Sequence, residues 1–265
     1  MAAKLIAITR AVSPKIGQCE LTHLTRQAID VERARAQHGQ YEACLAGLGF
    51  ELHRLPAEPD LPDSVFVEDT AIVLDEVAII TRPGAASRRP ETESIARALG
   101  PFRRLAFIRP PGTLDGGDVL CIGRAIYIGL SGRSNREGVG QVQRLVAPFG
   151  YRVEGVPVTG CLHLKSAVTQ VAGDALLINR DWADGRLWGE FRLIDVDRGE
   201  PFAANALLVG NAVVYPAAYQ RTRRRLERAG IDVHAVDVSE LVKAEGAVTC
   251  CSLVFSRAAT GGEVG

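Results

Sequence analysis

Three residues that lie far apart in the sequence, Cys250, His163 and Asp115, could together perform nucleophilic catalysis. In such an arrangement a thiolate attacks the substrate, an imidazole transfers protons, and a carboxylate fixes the orientation of the imidazole. Each residue also has an ordinary structural explanation, since a cysteine flanked by apolar residues is usually part of the core. All three, however, stand just before an apolar strand. This common register predicts that they meet at one end of the fold.

Carboxylates accumulate at the same predicted position. Asp63, Glu68 and Asp69 lie close together in the sequence, and carboxylates around a closed pocket repel one another unless a cation or protons are present. A guanidinium suits such a pocket, because its planar fork of donors matches carboxylates bidentately. Arg88 and Arg133 follow the first and second apolar hairpins, where they could hold a carboxylate. The pattern predicts an arginine-like substrate; the alternative is that Asp63 and Asp69 only cap turns.

A metal site is a weaker interpretation of the same residues. His163 and Cys250, with Cys161 and Cys251 beside them in the sequence, offer zinc ligands but lack the closely spaced pairs of a structural zinc site. The sequence therefore predicts that no metal or organic cofactor is required. Zinc is expected to inhibit, by occupying Cys250 and His163.

The segments that must position these residues form a repeat. Apolar hairpins recur every forty to fifty residues or so, and such a period indicates a repeat architecture. The hairpins span 65–81, 116–129, 165–179 and 205–215, with predicted turns at 75–76, 123–124, 173–174 and 210–211.

A second marker keeps the same period. Helical stretches end in glycine, the usual left-handed cap, and a short extended run follows each of them. The helices are predicted at 28–48, 94–99, 137–148 and 219–229, with a shortened helical step at 188–196. Together these segments indicate five units.

The fifth hairpin is split between the two ends of the chain. Residues 4–10 and 251–256 are single apolar strands that can pair with each other, and such closure leaves no free sheet edge. We therefore predict an α/β fold: a five-bladed α/β-propeller of five ββαβ units around a pseudo-fivefold axis, as one domain spanning 1–265. A doubly wound sheet is disfavoured because no G-x-G-x-x-G or P-loop motif follows a strand.

Composition excludes several classes of partner. The 265 residues include 31 Lys plus Arg and 31 Asp plus Glu, so there is no electrostatic footprint for nucleic acid or an acidic membrane. The apolar patch near the N-terminus is too short for a signal sequence or a membrane span. The six cysteines are scattered without C-x-x-C spacing, so free thiols, a cytoplasmic location and a small-molecule partner are expected.

Six segments carry a resemblance to a known family: FVEDTAIV (66–73), TRPGAASRR (81–89), LDGGDVL (114–120), GLSGRSN (129–135), LHLKS (162–166) and TCCSLVF (249–255). In this order, and with few gaps between about residue 16 and residue 256, they are similar to segments of the dimethylarginine dimethylaminohydrolases. That family belongs to the guanidine-modifying pentein superfamily, whose members are five-bladed α/β-propellers.

The resemblance implies a role for each matching residue. Cys250 matches the nucleophile, His163 the general acid and base, and Asp115 the acid that orients His163. The residues implied in substrate binding are Leu21 in a flexible lid, Asp63, Phe66, Glu68 and Asp69 near the guanidinium, Arg88 and Arg133 at the substrate carboxylate, and the backbone of Ala244 at the α-amino group. A larger aliphatic residue is expected at the place of Ala244. Asp118 is expected to be a structural strand-start residue, with contact to the guanidinium left open.

The activity that the resemblance implies is hydrolysis of Nω-methylated L-arginine to L-citrulline and dimethylamine or methylamine, through a covalent cysteine thiouronium. Arginine deiminase and a citrulline or other ureido hydrolase are alternatives on the same fold, although the deiminase resembles a longer chain. A non-enzymatic alternative is a propeller binding protein like the ribosome anti-association factor, which predicts no catalytic cysteine or histidine. Monomer and homodimer both remain open.

Overall fold

The structure is a computed structural model that describes residues 4–257. Fifteen strands form five three-stranded sheets, the blades of a propeller. The strands are β1 (Leu5–Arg10), β2 (Phe50–Leu55), β3 (Ala71–Val73), β4 (Ala78–Ile80), β5 (Leu105–Phe107), β6 (Val119–Ile122), β7 (Ala125–Leu130), β8 (Arg152–Pro157), β9 (Val168–Ala172), β10 (Ala175–Ile178), β11 (Arg192–Asp195), β12 (Leu207–Val209), β13 (Ala212–Pro216), β14 (Asp232–Val236) and β15 (Leu253–Ser256).

Each blade repeats one pairing scheme. The first two strands form an antiparallel hairpin, and the third strand pairs in parallel with the middle one, as in β6, β7 and β8. The hairpin turns fall where the sequence predicts them, for example between Ile122 and Ala125 and between Val209 and Ala212. These observations confirm the predicted ββαβ unit.

The ring closes through the two ends of the chain. Strand β1 pairs antiparallel with β15, with Leu5 opposite Ser256 and Ile8 opposite Leu253, and it pairs in parallel with β2. The predicted split hairpin is therefore confirmed. Because β1 lies between β15 and β2, it has no free edge.

Helices connect the second and third strands of four blades. They are α1 (Val31–Gly47), α2 (Glu91–Leu99), α3 (Arg136–Val146) and α5 (Gln220–Arg228), and two single-turn helices are α4 (Leu164–Ala167) and α6 (Ser239–Val242). In the remaining blade a 3-10 turn at Gly185–Trp188 stands in place of a helix. Trp188 is fully buried there, so its large ring provides apolar volume that a helix supplies elsewhere.

The predicted glycine caps hold at three of four positions. Gly49, Gly150 and Gly230 have φ values of 93°, 76° and 82°, in the left-handed region that favours glycine. The prediction is wrong at Gly100, which has φ −51°. Its N–H still donates to the Ala96 carbonyl oxygen at 3.0 Å, so the helix turn continues through it.

Apolar side chains are buried between the blades. Within residues 4–257 the buried apolar residues form five clusters, one between each pair of neighbouring blades. The first strand of every blade faces the axis, and residues of β3, β6, β9, β12 and β15 line a central cavity. The segments that enter these five strands therefore converge at one end. None of the helices between residues 4 and 257 is long and apolar enough to cross a lipid bilayer.

Candidate active site

A small cavity opens at the end of the axis where the inner strands begin. Eight of the residues singled out from the sequence line it: Asp63, Phe66, Asp69, Arg88, Arg133, His163, Ala244 and Cys250. Four further residues complete the lining: Glu20, Leu162, Glu245 and Gly246. The structure thus brings a thiol, an imidazole, several carboxylates and two guanidinium groups into one cavity.

His163 is held by a carboxylate behind it. Its Nε2 lies 3.1 Å from Oδ2 of Asp115, and Asp115 is fully buried. The other carboxylate oxygen of Asp115 accepts the backbone N–H of Gly84 at 2.8 Å, and Arg133 Nη1 lies 3.4 Å from Oδ2. Asp115 is therefore fixed from three sides, and it holds one ring nitrogen of His163, while His163 itself lines the cavity.

A second carboxylate flanks the imidazole. Oδ1 of Asp69 lies 3.9 Å from Nδ1 of His163 and accepts the backbone N–H of Gly117 at 2.9 Å. Burial lowers the pKa of His163, but the charges of Asp69, Asp115 and Asp118 outweigh burial and raise this pKa to about 9. His163 therefore carries a proton at neutral pH.

The two glycines of LDGGDVL allow these groups to approach one another. A Cβ atom on Gly117 would stand 2.5 Å from Nδ1 of His163 and 2.8 Å from Oδ1 of Asp69. A Cβ atom on Gly116 would stand 1.9 Å from the backbone oxygen of Glu68. A side chain at Gly117 would push His163 away from Asp69, and one at Gly116 would displace the backbone of Glu68.

Cys250 is the half-buried thiol of the cavity. Its backbone oxygen accepts the N–H of Glu68 at 3.1 Å, which ties the cysteine segment to the carboxylate segment across the ring closure. Burial raises the pKa of the Cys250 thiol, and the negative charges of Glu68 and Asp69 raise it further. Burial and these charges therefore favour the protonated thiol over the thiolate, although the Lys165 ammonium opposes them.

Glu68 has partners of its own in the structure, and its predicted contact with a guanidinium stays a prediction. Its carboxylate pairs with the Lys165 ammonium and accepts a hydrogen bond from Oγ1 of Thr249 at 2.7 Å. Burial raises the pKa of Glu68 in spite of the lysine. Glu68 is not among the residues that line the cavity of Cys250 and His163; it borders the central axial cavity together with Lys165.

The two arginines of the cavity have different partners. The guanidinium of Arg88 pairs with Asp69 and Glu91 and donates to the backbone oxygens of Asp63 and Phe66. Arg133 contacts Asp115 and donates to Oγ1 of Thr22 at 3.0 Å. Arg133 is thus the less committed group for a substrate carboxylate, whereas Arg88 would have to exchange a partner.

An irregular segment between residues 19 and 30 borders the cavity. The carboxylate of Glu245 accepts the backbone N–H groups of Thr22 and Leu24 at 2.9 and 2.6 Å, and the N–H of Glu20 donates to Asp63 at 3.1 Å. Leu21 is partly buried against the apolar cluster that contains Phe66 and does not line the cavity. Its predicted lid role stays a prediction.

A cluster with the potential to bind a metal lies within this site. Among residues 4–257, ligand atoms of Asp69, Asp115 and His163 all lie within 4.8 Å of one another. Both carboxylates already accept hydrogen bonds from backbone N–H groups, those of Gly117 and Gly84. Cys250 does not belong to this cluster, so the predicted inhibitory zinc at Cys250 and His163 stays a prediction.

Sequence reasoning missed several residues that shape the site. Glu20 and Glu245 line the cavity, and Lys165 and Thr249 hold Glu68. A signal existed for Lys165, because an ammonium two residues after His163, in an otherwise apolar strand entry, needs a buried carboxylate partner. No comparable signal marks Glu245, whose contact with residues 22–24 joins segments more than 200 positions apart.

Known proteins share this sequence and fold. The chain is 38% identical over 257 residues to an N(G),N(G)-dimethylarginine dimethylaminohydrolase of Streptomyces coelicolor, covering 93% of this chain and 95% of that protein. It is 37% identical over 228 residues to the Pseudomonas aeruginosa protein of that name, covering 85% and 90%. A solved structure of the Pseudomonas aeruginosa enzyme, a cysteine-to-serine variant complexed with citrulline, has a TM-score of 0.91 and 34% identity, covering 96% of this chain and all of that one. No protein-family model matches the chain.

The closed ring of five ββαβ blades, with a thiol and an imidazole at the axis, defines a pentein of the guanidine-modifying type. Within that superfamily the identity is high and covers nearly the whole chain. The chain belongs to the dimethylarginine dimethylaminohydrolase family.

Proposed function

We propose that this protein hydrolyses Nω-methylated L-arginine, as asymmetric dimethylarginine or monomethylarginine, to L-citrulline and dimethylamine or methylamine. The observation that carries the proposal is the shared cavity of Cys250 and His163, in which Asp115 holds the imidazole at 3.1 Å. The names of the relatives and the citrulline in the solved complex point to the same reaction in those proteins.

The charges of the cavity match the two ends of this substrate. Asp63 and Asp69 offer carboxylates to a guanidinium beside Cys250, and Arg133 offers a guanidinium to the substrate's carboxylate. Burial raises the pKa of Asp63, although the charge of Arg88 opposes it, and an incoming cation would favour the ionised carboxylate. Ala244 lies in the lining with its backbone available for the predicted contact with the α-amino group.

The raised pKa of Cys250 makes the substrate part of nucleophile activation. When a guanidinium cation enters, its positive charge offsets the carboxylates of Glu68 and Asp69 and stabilises the thiolate, whose proton leaves to solvent. The thiolate then attacks the guanidinium carbon and forms a tetrahedral adduct. Activation therefore depends on a bound cation. In the absence of that cation the thiol stays protonated and unreactive.

Protonated His163 supplies the acid that the next step needs. It donates its proton to the methylated nitrogen, the carbon–nitrogen bond breaks, and the amine leaves behind a cationic thiouronium on Cys250. The imidazole, now neutral, takes a proton from water, and the resulting hydroxide attacks the same carbon. Collapse of that adduct breaks the carbon–sulfur bond, the hydroxyl proton passes to the departing sulfur, and citrulline and the Cys250 thiol are released.

The test is citrulline release from asymmetric dimethylarginine by the wild-type protein and by Cys250→Ser. We expect the variant to lose activity by at least about 10³-fold, as for removal of other catalytic nucleophiles. Cys44→Ser is the matched control, since it changes a half-buried cysteine on α1 away from the cavity, and it should retain wild-type turnover. Turnover retained by Cys250→Ser would refute the mechanism.

The same assay separates the alternatives on this fold. Asymmetric dimethylarginine, monomethylarginine, arginine and citrulline are compared at equal concentration. A preference for unmethylated arginine would identify a deiminase, and consumption of citrulline would identify a ureido hydrolase. Either result would overturn the proposed substrate while leaving the chemistry of Cys250 in place.

A further inference from the structure

Asp118 is a buried carboxylate next to the site that the mechanism does not use. It is fully buried and lies outside the lining of the cavity, so it makes no direct contact with a substrate guanidinium there. Its Oδ1 accepts the backbone N–H of Leu164 at 3.0 Å. Leu164 directly follows His163, so this bond fixes the backbone that carries the imidazole.

The second oxygen of Asp118 binds two hydroxyl groups. Oδ2 accepts hydrogen bonds from Ser131 at 2.6 Å and from Ser134 at 2.7 Å. Each serine oxygen in turn accepts backbone N–H groups: Ser134 accepts that of Asp115 at 3.0 Å, and Ser131 accepts that of Arg133 at 3.0 Å and, at the longer distance of 3.4 Å, that of Ser134. One carboxylate therefore connects the base, the acid that orients the base, and the arginine at the substrate carboxylate.

A comparison of Asp118 with Asn205, in another blade, shows which of its contacts require a negative charge. Asn205, which also lies at the entry of an inner strand, accepts the backbone N–H of Thr249 at 3.1 Å and so bridges to the next blade. Its amide nitrogen donates to the backbone oxygen of Lys165 and to the Thr249 hydroxyl. A neutral amide is thus sufficient for the bridge between blades.

At Asp118 three donors converge, one N–H and two hydroxyl groups. A carboxylate accepts from all of them, whereas an amide would direct its own N–H groups at the serine hydroxyls. Burial raises the pKa of Asp118 to about 6, so it is ionised at pH 7. Its charge therefore adds to those of Asp69 and Asp115 around His163.

We propose that Asp118 is a positioning residue with two outputs: through Leu164 and Ser134 it places His163 and Asp115, and through Ser131 it places Arg133, while its negative charge lies beside the imidazole of His163. The inference deepens the proposed function, since it concerns the same reaction. Asp118 acts without touching the substrate.

The two serines allow the outputs to be separated. We expect Ser134→Ala to lower kcat about tenfold with little change in KM, because it releases the backbone of Asp115. We expect Ser131→Ala to raise KM about tenfold with little change in kcat, because it releases Arg133. Both expectations assume displacements of a fraction of an ångström in the site. Ser256→Ala, at the distal end of β15, is the control and should leave both constants unchanged.

Asp118→Asn tests the charge. The groups that face His163 are Asp69, Asp115 and Asp118, with Arg88 and Arg133 paired to the first two. In the variant the titration midpoint of the His163 imidazole, followed by NMR, should fall by about half a pH unit or more. The pH at which kcat declines on the alkaline side should fall with it. A purely structural role would leave the imidazole titration in place.

Separate outcomes decide the two proposals. The NMR titration requires no turnover, so it tests Asp118 even if methylarginine is not the substrate. An unchanged His163 midpoint in folded Asp118→Asn overturns the electrostatic role. If that variant does not fold, the serine variants decide. The positioning role is overturned if both variants have wild-type constants, or if both show the same changes in kcat and in KM. If the wild-type protein has no activity toward methylarginine, that result refutes only the proposed function.

Discussion

Carboxylates have opposite effects on the charged groups at the two sides of the cavity: they favour the charged form of His163 and disfavour the charged form of Cys250. On the imidazole side, carboxylates surround His163 and raise its pKa to about 9 in spite of burial. On the thiol side, burial and the carboxylates Glu68 and Asp69 raise the pKa of Cys250, which suppresses the thiolate. Carboxylates thus keep a proton on the imidazole of His163 on one side, and on the other side they keep the thiol of Cys250 protonated and unreactive.

This difference explains how adjacent acids serve different purposes. Asp69 meets Arg88 and the imidazole, and these cations lower its pKa although burial opposes them. Glu68, the preceding residue, is neutralised by Lys165 and has a raised pKa because of burial. In the proposed mechanism, His163 is therefore already protonated before substrate binds, whereas Cys250 becomes a nucleophile only when a cationic substrate binds.

The largest effect is expected from removing the stored proton. In His163→Gln the leaving amine cannot be protonated by the imidazole, so kcat should fall by roughly 10³- to 10⁴-fold, near the upper range for general acid–base catalysis. Rapid-quench measurement of citrulline gives the rate. Alkylation of Cys250 by an electrophilic amidine should continue, and a variant with unchanged kcat would contradict the role of His163.

Breaking the ion pair on the thiol side should cost stability. Lys165→Met leaves the buried carboxylate of Glu68 without its cation, and we expect the free energy of unfolding to fall by about 3 kcal/mol. Chemical denaturation measures this. The double variant Lys165→Met with Glu68→Gln should recover part of the loss, and no recovery would show that the pair does not explain the effect.

A smaller effect is expected from crowding the imidazole side. A methyl group on Gly117 would stand 2.5 Å from His163 Nδ1, so Gly117→Ala should displace the ring and lower kcat about 10²-fold. Gly173→Ala is the control, because a Cβ there meets nothing within 4 Å. Equal kcat in the two variants would show that the close approach is not needed.

The last effect is on stability against pH, and it develops gradually. The folded pKa of His163, about 9, exceeds the ordinary value of 6.5, so its protonation stabilises the fold fully below pH 6.5. This contribution is lost as pH rises to about 9, with a slope of at most about 1.4 kcal/mol per pH unit. Denaturation at several pH values should show the decline in wild type and not in His163→Gln; parallel profiles would contradict it.

Periodicity was sufficient to predict the architecture. Hairpins, helices and the pairing of residues 4–10 with 251–256 follow from apolar patterns that have the same period in every blade. The exception at Gly100 arises because a helix cap depends on what the chain does next, which the local pattern leaves open. The missing helix near Trp188 was anticipated only as a shortened step, since one buried ring can replace several small apolar contacts.

The site was less predictable than the fold. The register of strand entries was sufficient to bring His163 near Asp115, because a blade repeat places equivalent residues at one end. The register of the strand entries does not, however, predict which partner a buried charged side chain pairs with. Lys165 reaches Glu68, and Arg88 reaches Asp69 and Glu91, so two groups predicted to meet the substrate are already paired in the structure.

The pairing of β1 with β15 has a consequence for synthesis of the protein. A nascent chain that ends before residue 250 has its other blades but lacks the nucleophile, and the edge of β1 that β15 later covers is exposed. An unpaired edge is a template for strands of other molecules. Until β15 is added, such a chain lacks Cys250 and its exposed β1 edge can pair with β15 of a neighbouring copy, so the segment that closes the ring also brings the thiol.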